Sequence, residues 1–209
     1  MPTTPLTFYS FPYSGHAHRV ALMLSLLDVP HQTVNVDLRS GEQKRPGFLA
    51  LNAFGQVPVI DDNGAVIADS NAILVYLAKR HGGEAWLPAD PAGSAAVQRW
   101  LSVAAGPLAA GPAAARLVTL FGAPYDVQAT LARAHALLAV MEGELGSREF
   151  LAGNAPTIAD VACYAYVAHA PEGNVSLAGY PHVRAWLARI ENLPRFVPMA
   201  SSPVGLLAA

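Results

Sequence analysis

Phe54-Gly55-Gln56-Val57-Pro58-Val59-Ile60-Asp61-Asp62-Asn63-Gly64-Ala65-Val66-Ile67-Ala68-Asp69-Ser70-Asn71-Ala72-Ile73-Leu74-Val75-Tyr76 reads as strand, tight turn, strand and helix. Val57, Val59 and Ile60 are β-branched and apolar, the composition of a strand. Asn63-Gly64 supplies the positive φ angles of a type I′ hairpin turn, and Ala65, Val66 and Ile67 return as the partner strand. Asp69-Ser70 has the composition of a helix start, and Ile73, Leu74 and Leu77 follow at helical spacing.

Two features of this stretch are out of place in plain scaffolding. Pro58 interrupts a strand-like run, and proline has no N–H to give a ladder, so it belongs at an edge or a break. An edge broken there leaves the backbone of Val57 free to pair with an extended ligand, and an X-Pro bond can be cis at modest cost. A helix beginning at Ser70 presents unpaired N–H groups and a positive dipole end beside a hydroxyl, which is a site for a carboxylate. Together they suit a small, acidic, peptide-like ligand.

Upstream, Leu6 to Ser10 is a short strand, and Phe11-Pro12-Tyr13-Ser14-Gly15 is a turn. A helix is predicted from His16 to about Leu27, and Gln32 to Leu38 alternates as a second strand. A short irregular helix is expected between Ser40 and Leu51. With the hairpin and its helix this gives the β-α-β-α-β-β-α order of a thioredoxin-like domain. Downstream, His81-Gly82-Gly83-Glu84 ends that unit, and residues 84–91 form a Pro-rich linker. Strand signals disappear from Ala92 onward. Helices are expected from Ala92 through Trp100, with breaks or bends at Gly106-Pro107 and Gly111-Pro112, then over Asp126–Leu145, Ile158–His169 and Pro181–Glu191. Thr157 with Asp160 three residues on makes a capping-box pair, so Asp160 is a folding residue and not a catalytic one. The division expected is an α/β thioredoxin-like unit over 1–83 and an all-α unit over 92–209.

The chain has 209 residues, of which 53% are hydrophobic and 13% charged, with a formal net charge of −2. Nothing there points to nucleic acid, and no basic run occurs. The Ala-rich stretches are interrupted by Gly, Pro, Arg or Gln, so no membrane span is expected. The N-terminal residues show no signal-peptide pattern. Cys163 is the single cysteine, which excludes an internal disulfide, and its apolar helical setting reads as an inert core position. A cytoplasmic protein is the simplest expectation.

Gly55-Gln56-Val57-Pro58-Val59 followed by Asp69-Ser70-Asn71-Ala72-Ile73 resembles the glutathione-binding half of the cytosolic glutathione S-transferases, and the resemblance extends over essentially the whole chain. It implies a glutathione transferase that activates the glutathione thiolate for attack on a largely apolar electrophile. Ser14 stands where a strand ends and a helix begins, a place where serine ordinarily caps a helix. In serine-type members the active serine precedes an arginine by five residues, and Ser14 and Arg19 match that spacing. The resemblance therefore gives Ser14 the role of stabilising the thiolate, with Tyr9, Ser10 and Tyr13 as rivals. It also implies that Lys44 and Gln56 meet the glycyl carboxylate, with Gln43 and Arg39 as weaker candidates. Val57, at the Pro58 break, would pair with the cysteinyl unit, and Asp69 and Ser70 would hold the γ-glutamyl end. Several classes carry His where Gln43 stands and Glu where Asp69 stands, which leaves the affinity open. No cysteine lies in the Tyr13-Ser14-Gly15 turn, which argues against disulfide reductase chemistry. No metal is expected: His16 and His18 lack further ligands at a recognisable spacing. The second substrate would sit between the two units, against Leu108, Leu117, Phe121, Tyr125 and Tyr164. A homodimer is implied, although no acid between Pro91 and Pro124 is available for a cross-dimer contact to glutathione. Peroxide reduction or dehalogenation on the same thiolate, and a non-catalytic glutathione-binding protein, are the alternatives.

Overall fold

A computed structural model of the chain describes residues 5–206. The expectation placed on Met1-Pro2-Thr3-Thr4, that no leader is present, lies outside them. The first half holds β1 (Leu6–Ser10), α1 (Gly15–Leu26), β2 (His31–Asn35), α2 (Pro46–Leu49), β3 (Val59–Asp62), β4 (Ala65–Ala68) and α3 (Ser70–Leu77). The sheet order is β2-β1-β3-β4, with β1 parallel to β2 and antiparallel to β3. Phe8 lies opposite Thr33 and Ile60, which fixes the register. This is the thioredoxin-like arrangement. Asn63 at φ 54° and Gly64 at φ 93° make the hairpin turn that their composition predicts.

β2 is shorter than its alternation suggests. One further rung follows, from the Val36 N–H to the Ser10 carbonyl at 2.8 Å. Then the Asp37 side chain accepts from the N–H groups of Arg39 and Ser40 and folds the chain into a turn. One face of the sheet packs Leu6, Phe8 and Ile60 against α1 and α3 through Val20, Leu24, Ile73 and Leu77, all buried. The other face carries a smaller cluster of Val36, Phe48, Val57 and Val59, with the Tyr9 ring edge-on to Phe48.

The rest is helical: α4 (Pro91–Ala105), α5 (Ala114–Phe121), α6 (Val127–Leu145), α7 (Ile158–Ala168) and α8 (Pro181–Glu191). Asp90 caps α4 by accepting from the Gly93 N–H, and Pro91 takes the first helical position, where a missing N–H costs nothing. Between α4 and α5 the chain widens into a π-type turn over Ala109–Ala113, with Pro112 inside. The interruptions by Gly, Pro, Arg and Gln do not shorten one apolar run below the length of a span. The run Pro91–Phe121, 31 residues with an 18-residue window of mean hydropathy 1.3, is long and apolar enough to cross a membrane by length and composition. Val97, Trp100, Leu101, Ala104 and Leu108 of this run are instead buried in the protein core. The small Ala and Gly residues let the run lie close to its neighbours: a Cβ on Gly111 would stand 2.8 Å from the Ala134 nitrogen.

α7 is the central post. Its residues Ile158–Val167 are buried, and it packs on both α1 and α4. The Thr157–Asp160 capping box forms, and Asp160 also accepts from the Leu151 N–H and the Trp186 indole N–H, each at 2.9 Å. The segment before α4 is tied to the same post, because the Ile158 N–H donates to the Trp86 carbonyl at 3.0 Å.

Candidate active site

A cleft of about 1040 Å³ opens between the sheet unit and α5. Ser14, Lys44, Gln56, Val57, Pro58, Asp69 and Ser70 all line it. These residues come from four separate stretches, and the sheet order brings three of them together: β1 ends beside β3, so the turn after β1 faces the loop before β3 and the start of α3, while Lys44 comes from the segment after β2.

Ser14 is the N-cap of α1, its side-chain oxygen accepting from the Ala17 N–H at 3.2 Å. A serine hydroxyl holds one donor and two acceptor positions. Capping uses an acceptor and leaves the O–H free to donate into the cleft. The helix N-terminus adds its positive dipole end at the same point. Gly15 is required behind it: a Cβ there would lie 2.7 Å from the Tyr166 ring. The rivals separate by position. Tyr9 packs on Phe48 and lines no part of the cleft, Ser10 is buried in the sheet, and Tyr13 lines the cleft beside Ser14.

The Val57–Pro58 peptide bond is cis. Among the described residues, neither the N–H nor the carbonyl of Val57 has a hydrogen-bond partner in the protein. The loop leading to it is shaped by Asn52, a buried residue that the sequence reading passed over. Asn52 Nδ2 donates to the Gln56 carbonyl at 2.8 Å, and its Oδ1 accepts from the Phe54 N–H at 3.1 Å. Gly55 has φ 58°, and a Cβ there would meet the Gln43 carbonyl at 2.7 Å. Lys44 Nζ donates to the Phe54 carbonyl at 3.0 Å, which spends one of its three N–H groups on the loop. Arg39 and Gln43 border the same end of the cleft.

The start of α3 differs in detail from the expectation of free N–H groups. Asp69 is the N-cap, with φ 73°, a left-handed value uncommon for a non-glycine residue. Its Oδ1 accepts from the N–H groups of Asn71 and Ala72, each at 2.9 Å, so these two are already satisfied. Among the described residues the Ser70 N–H has no acceptor in the protein. The Ser70 hydroxyl receives a hydrogen bond from Arg19 Nη1 at 3.0 Å, and His16 Nδ1 lies 3.3 Å away. Arg19 is 1% exposed and also holds Asn71 Oδ1 at 3.0 Å. A buried cation thus sits directly behind the hydroxyl. Burial, with help from Arg19, pushes His16 down to about 3, so its ring is neutral and can take the Ser70 proton as a hydrogen bond.

The wall expected for a second substrate is partly corrected. Leu117, Phe121 and Tyr125 line the cleft as expected. Leu108 is fully buried in the core, and Tyr164 packs edge-on to Phe196 with its hydroxyl on Glu191, so neither reaches the cleft. Phe11, Ala109, Ala113 and Tyr166 stand there instead. Cys163 lies buried beneath Trp100, and burial pushes its thiol up to about 12. Among the described residues no group of three or more His, Cys, Asp or Glu converges as a metal site.

The cleft therefore offers a hydroxyl at a helix N-terminus, an unpaired main-chain amide, a hydroxyl backed by a buried guanidinium, and an apolar wall. Such a site can hold an extended acidic peptide with one atom set against Ser14 and an apolar partner beside it. Comparison with known proteins gives the same answer. The glutathione S-transferase N-terminal domain family matches residues 13–80, and the C-terminal domain family matches residues 116–194. The chain is 35% identical over 207 residues to glutathione S-transferase 3 of Zea mays, covering 92% of this chain and 91% of that one. A crystal structure of glutathione S-transferase from Pseudomonas fluorescens is 32% identical with a TM-score of 0.90, covering 95% of this chain and 100% of that one. The structure of a glutathione transferase homologue from Drosophila mojavensis with bound glutathione is 27% identical with a TM-score of 0.83, covering 91% and 89%. The chain belongs to the glutathione S-transferase family.

Proposed function

We propose that this protein is a glutathione transferase of the serine type, in which Ser14 stabilises the thiolate of bound glutathione. The observation that carries the reading is the free O–H of Ser14 at the N-terminus of α1, in one cleft with Val57, Ser70 and the apolar face of α5. The γ-glutamyl carboxylate lies at the Ser70 N–H and hydroxyl, whose one proton turns from His16 to the carboxylate, with Arg19 behind it. Asp69 takes the ammonium group through the oxygen that does not cap α3. The cysteinyl amide pairs with Val57, and Lys44 and Gln56 face the glycyl carboxylate.

A thiolate is the nucleophile, and a hydroxyl donor beside a positive helix end favours it over the thiol. The sulfur then attacks an electrophilic carbon of the second substrate. A carbon–sulfur bond forms, and the electron pair leaves with the departing group or moves into the conjugated acceptor. Leu117, Phe121 and Tyr125 make the wall suited to an apolar substrate. We extend the reading to a homodimer, which membership of the family implies.

The test is an ultraviolet titration of the bound thiolate in the wild type and in Ser14→Ala. The wild type should hold the thiol at least about one unit below its free value, and Ser14→Ala should return it by about one unit, with a tenfold loss of turnover near neutral pH. Binding with an unshifted thiol would move the protein to a non-catalytic role, and a depressed pKa untouched by the substitution would move activation to backbone N–H groups.

A further inference from the structure

Arg116 stands on α5, yet it ends at the turn that carries Ser14. It is 2% exposed, and its Nη1 donates to the Tyr13 carbonyl at 2.8 Å. Its Nε donates to Glu172 Oε2 at 2.5 Å. Glu172 is 6% exposed, and its other oxygen accepts from the Ser202 N–H at 2.7 Å and meets His169 Nδ1 at 2.9 Å. The Ala170–Gly173 turn lies directly on α5: a Cβ on Gly173 would stand 2.5 Å from the Arg116 nitrogen. The guanidinium is thus held from one side by a carboxylate that is itself held on two others.

The peptide group between Tyr13 and Ser14 is fixed at both ends. Its N–H donates to the Phe11 carbonyl at 3.0 Å, and its C=O accepts from Arg116. A planar guanidinium presents its N–H groups in a rigid fork, so holding Glu172 with one edge sets where the other meets Tyr13. A buried Arg–carboxylate pair adds little net stability over an apolar pair of the same volume. Stability is therefore a weak reason for two buried charges here, and orientation of the peptide they touch is a stronger one.

We propose that Arg116, clamped by Glu172, is a positioning residue for Ser14: it fixes the Tyr13–Ser14 peptide from the helical unit, and through Glu172 it ties that peptide to the C-terminal segment at Ser202. The proposal rests on the reading in which Ser14 activates the thiol. Arg116 also lines the cleft, and its Nη2 has no partner among the described residues, but the role assigned to it is exerted through the Tyr13 carbonyl.

The test uses three full-length variants. Arg116→Met with Glu172→Met removes both buried charges together and leaves neither one unpaired. Ser202→Pro removes the N–H that reaches Glu172, together with the hydroxyl that accepts from the Val204 N–H, and leaves both buried charges in place. Arg116→Lys keeps the charge without the fork. Amide hydrogen exchange in the free protein is read over residues 11–17 and 59–77, and the thiol pKa and KM of glutathione are measured alongside. In the double variant, protection over 11–17 should fall about tenfold while 59–77 stays within about twofold, because Arg116 touches only the first segment. The bound thiol should rise by about one unit, a tenfold loss of thiolate, with KM for glutathione within about threefold. Ser202→Pro and Arg116→Lys should move the same readouts less far. Unchanged protection over 11–17, or equal loosening of both segments, overturns the proposal. So does a thiol pKa in the double variant that matches a lowered wild-type value. A wild type that binds glutathione without lowering its thiol refutes the Ser14 reading, and the exchange at 11–17 then decides the positioning role alone.

Discussion

Asp160→Ala removes a carboxylate that satisfies buried donors from three places in the fold. Asp160 is 1% exposed, and it accepts from the N–H groups of Leu151 and Thr157 and from the Trp186 indole, each at 2.9 Å, and from the Thr157 hydroxyl at 3.2 Å. The hydroxyl can rotate toward another acceptor, but the other three donors are fixed by backbone or packing. Leaving a buried donor without a partner costs about 1–3 kcal/mol each. A water entering the vacated space recovers part of this, so the expected loss is about 3–6 kcal/mol. That approaches the whole stability of an ordinary domain, about 5–15 kcal/mol. For a chain of this length it corresponds to a fall in Tm of about 6–24 °C. Asp160→Asn keeps one oxygen and turns an amide N–H₂ toward donors, so it should recover less than half of the loss. Thermal and urea unfolding followed by circular dichroism measure both. Asp160 lines no part of the cleft, so the bound thiol pKa of the folded fraction should match the wild type. A loss below about 1.5 kcal/mol for the alanine variant would refute the view that α7 is anchored by this carboxylate.

Ser70→Ala removes the hydroxyl that Arg19 backs, and should weaken glutathione binding about tenfold by calorimetry, or about 1.4 kcal/mol, with the bound thiol pKa unmoved. Burial pushes His18 down to about 4 and His16 to about 3. The unfolded chain protonates both below about pH 6.5 while the folded protein does not, so stability is complete above that pH and is lost as the pH falls toward 4 and then 3. His18→Gln should halve the histidine part of this slope, from about 2.7 to about 1.4 kcal/mol per pH unit near pH 5, in urea titrations at stepped pH. Gly15→Ala drives a methyl into the Tyr166 ring at 2.7 Å and should cost about 1–3 kcal/mol in the same unfolding assay.

The parts of this fold governed by neighbours in sequence were legible in it. Asn63-Gly64 announces its hairpin because few other residues adopt two successive positive φ angles, and both are observed. Thr157 and Asp160 announce their helix because a capping box is written within four positions. Ser14, Val57 and Ser70 could be singled out because each combines a local break with a chemical group. Asn52 and Arg116 could not, since each takes its meaning from contacts that only tertiary folding creates: Arg116 bonds Tyr13, 103 positions away. Leu108 reads as a cleft residue for a related reason. The π-type turn over Ala109–Ala113 shifts the phase of the helix around it. Leu108 therefore rotates into the core, and Ala109 and Ala113 come to face the cleft. A periodicity carried through Gly106-Pro107 and Gly111-Pro112 has no means of recording that shift.

The unpaired backbone of Val57 has a bearing on how such a protein changes over time. A contact made by main-chain N–H and C=O has no side chain to lose, so every descendant that keeps the fold inherits it. Ligand choice at that point is decided by an extended amide shape rather than by residue identity. The α5 wall works the other way, because Ala109, Ala113 and Leu117 contribute through the volume of their side chains. Drift in this chain can therefore change the electrophile at the cost of a few methyl groups while the peptide half of the cleft stays as it is.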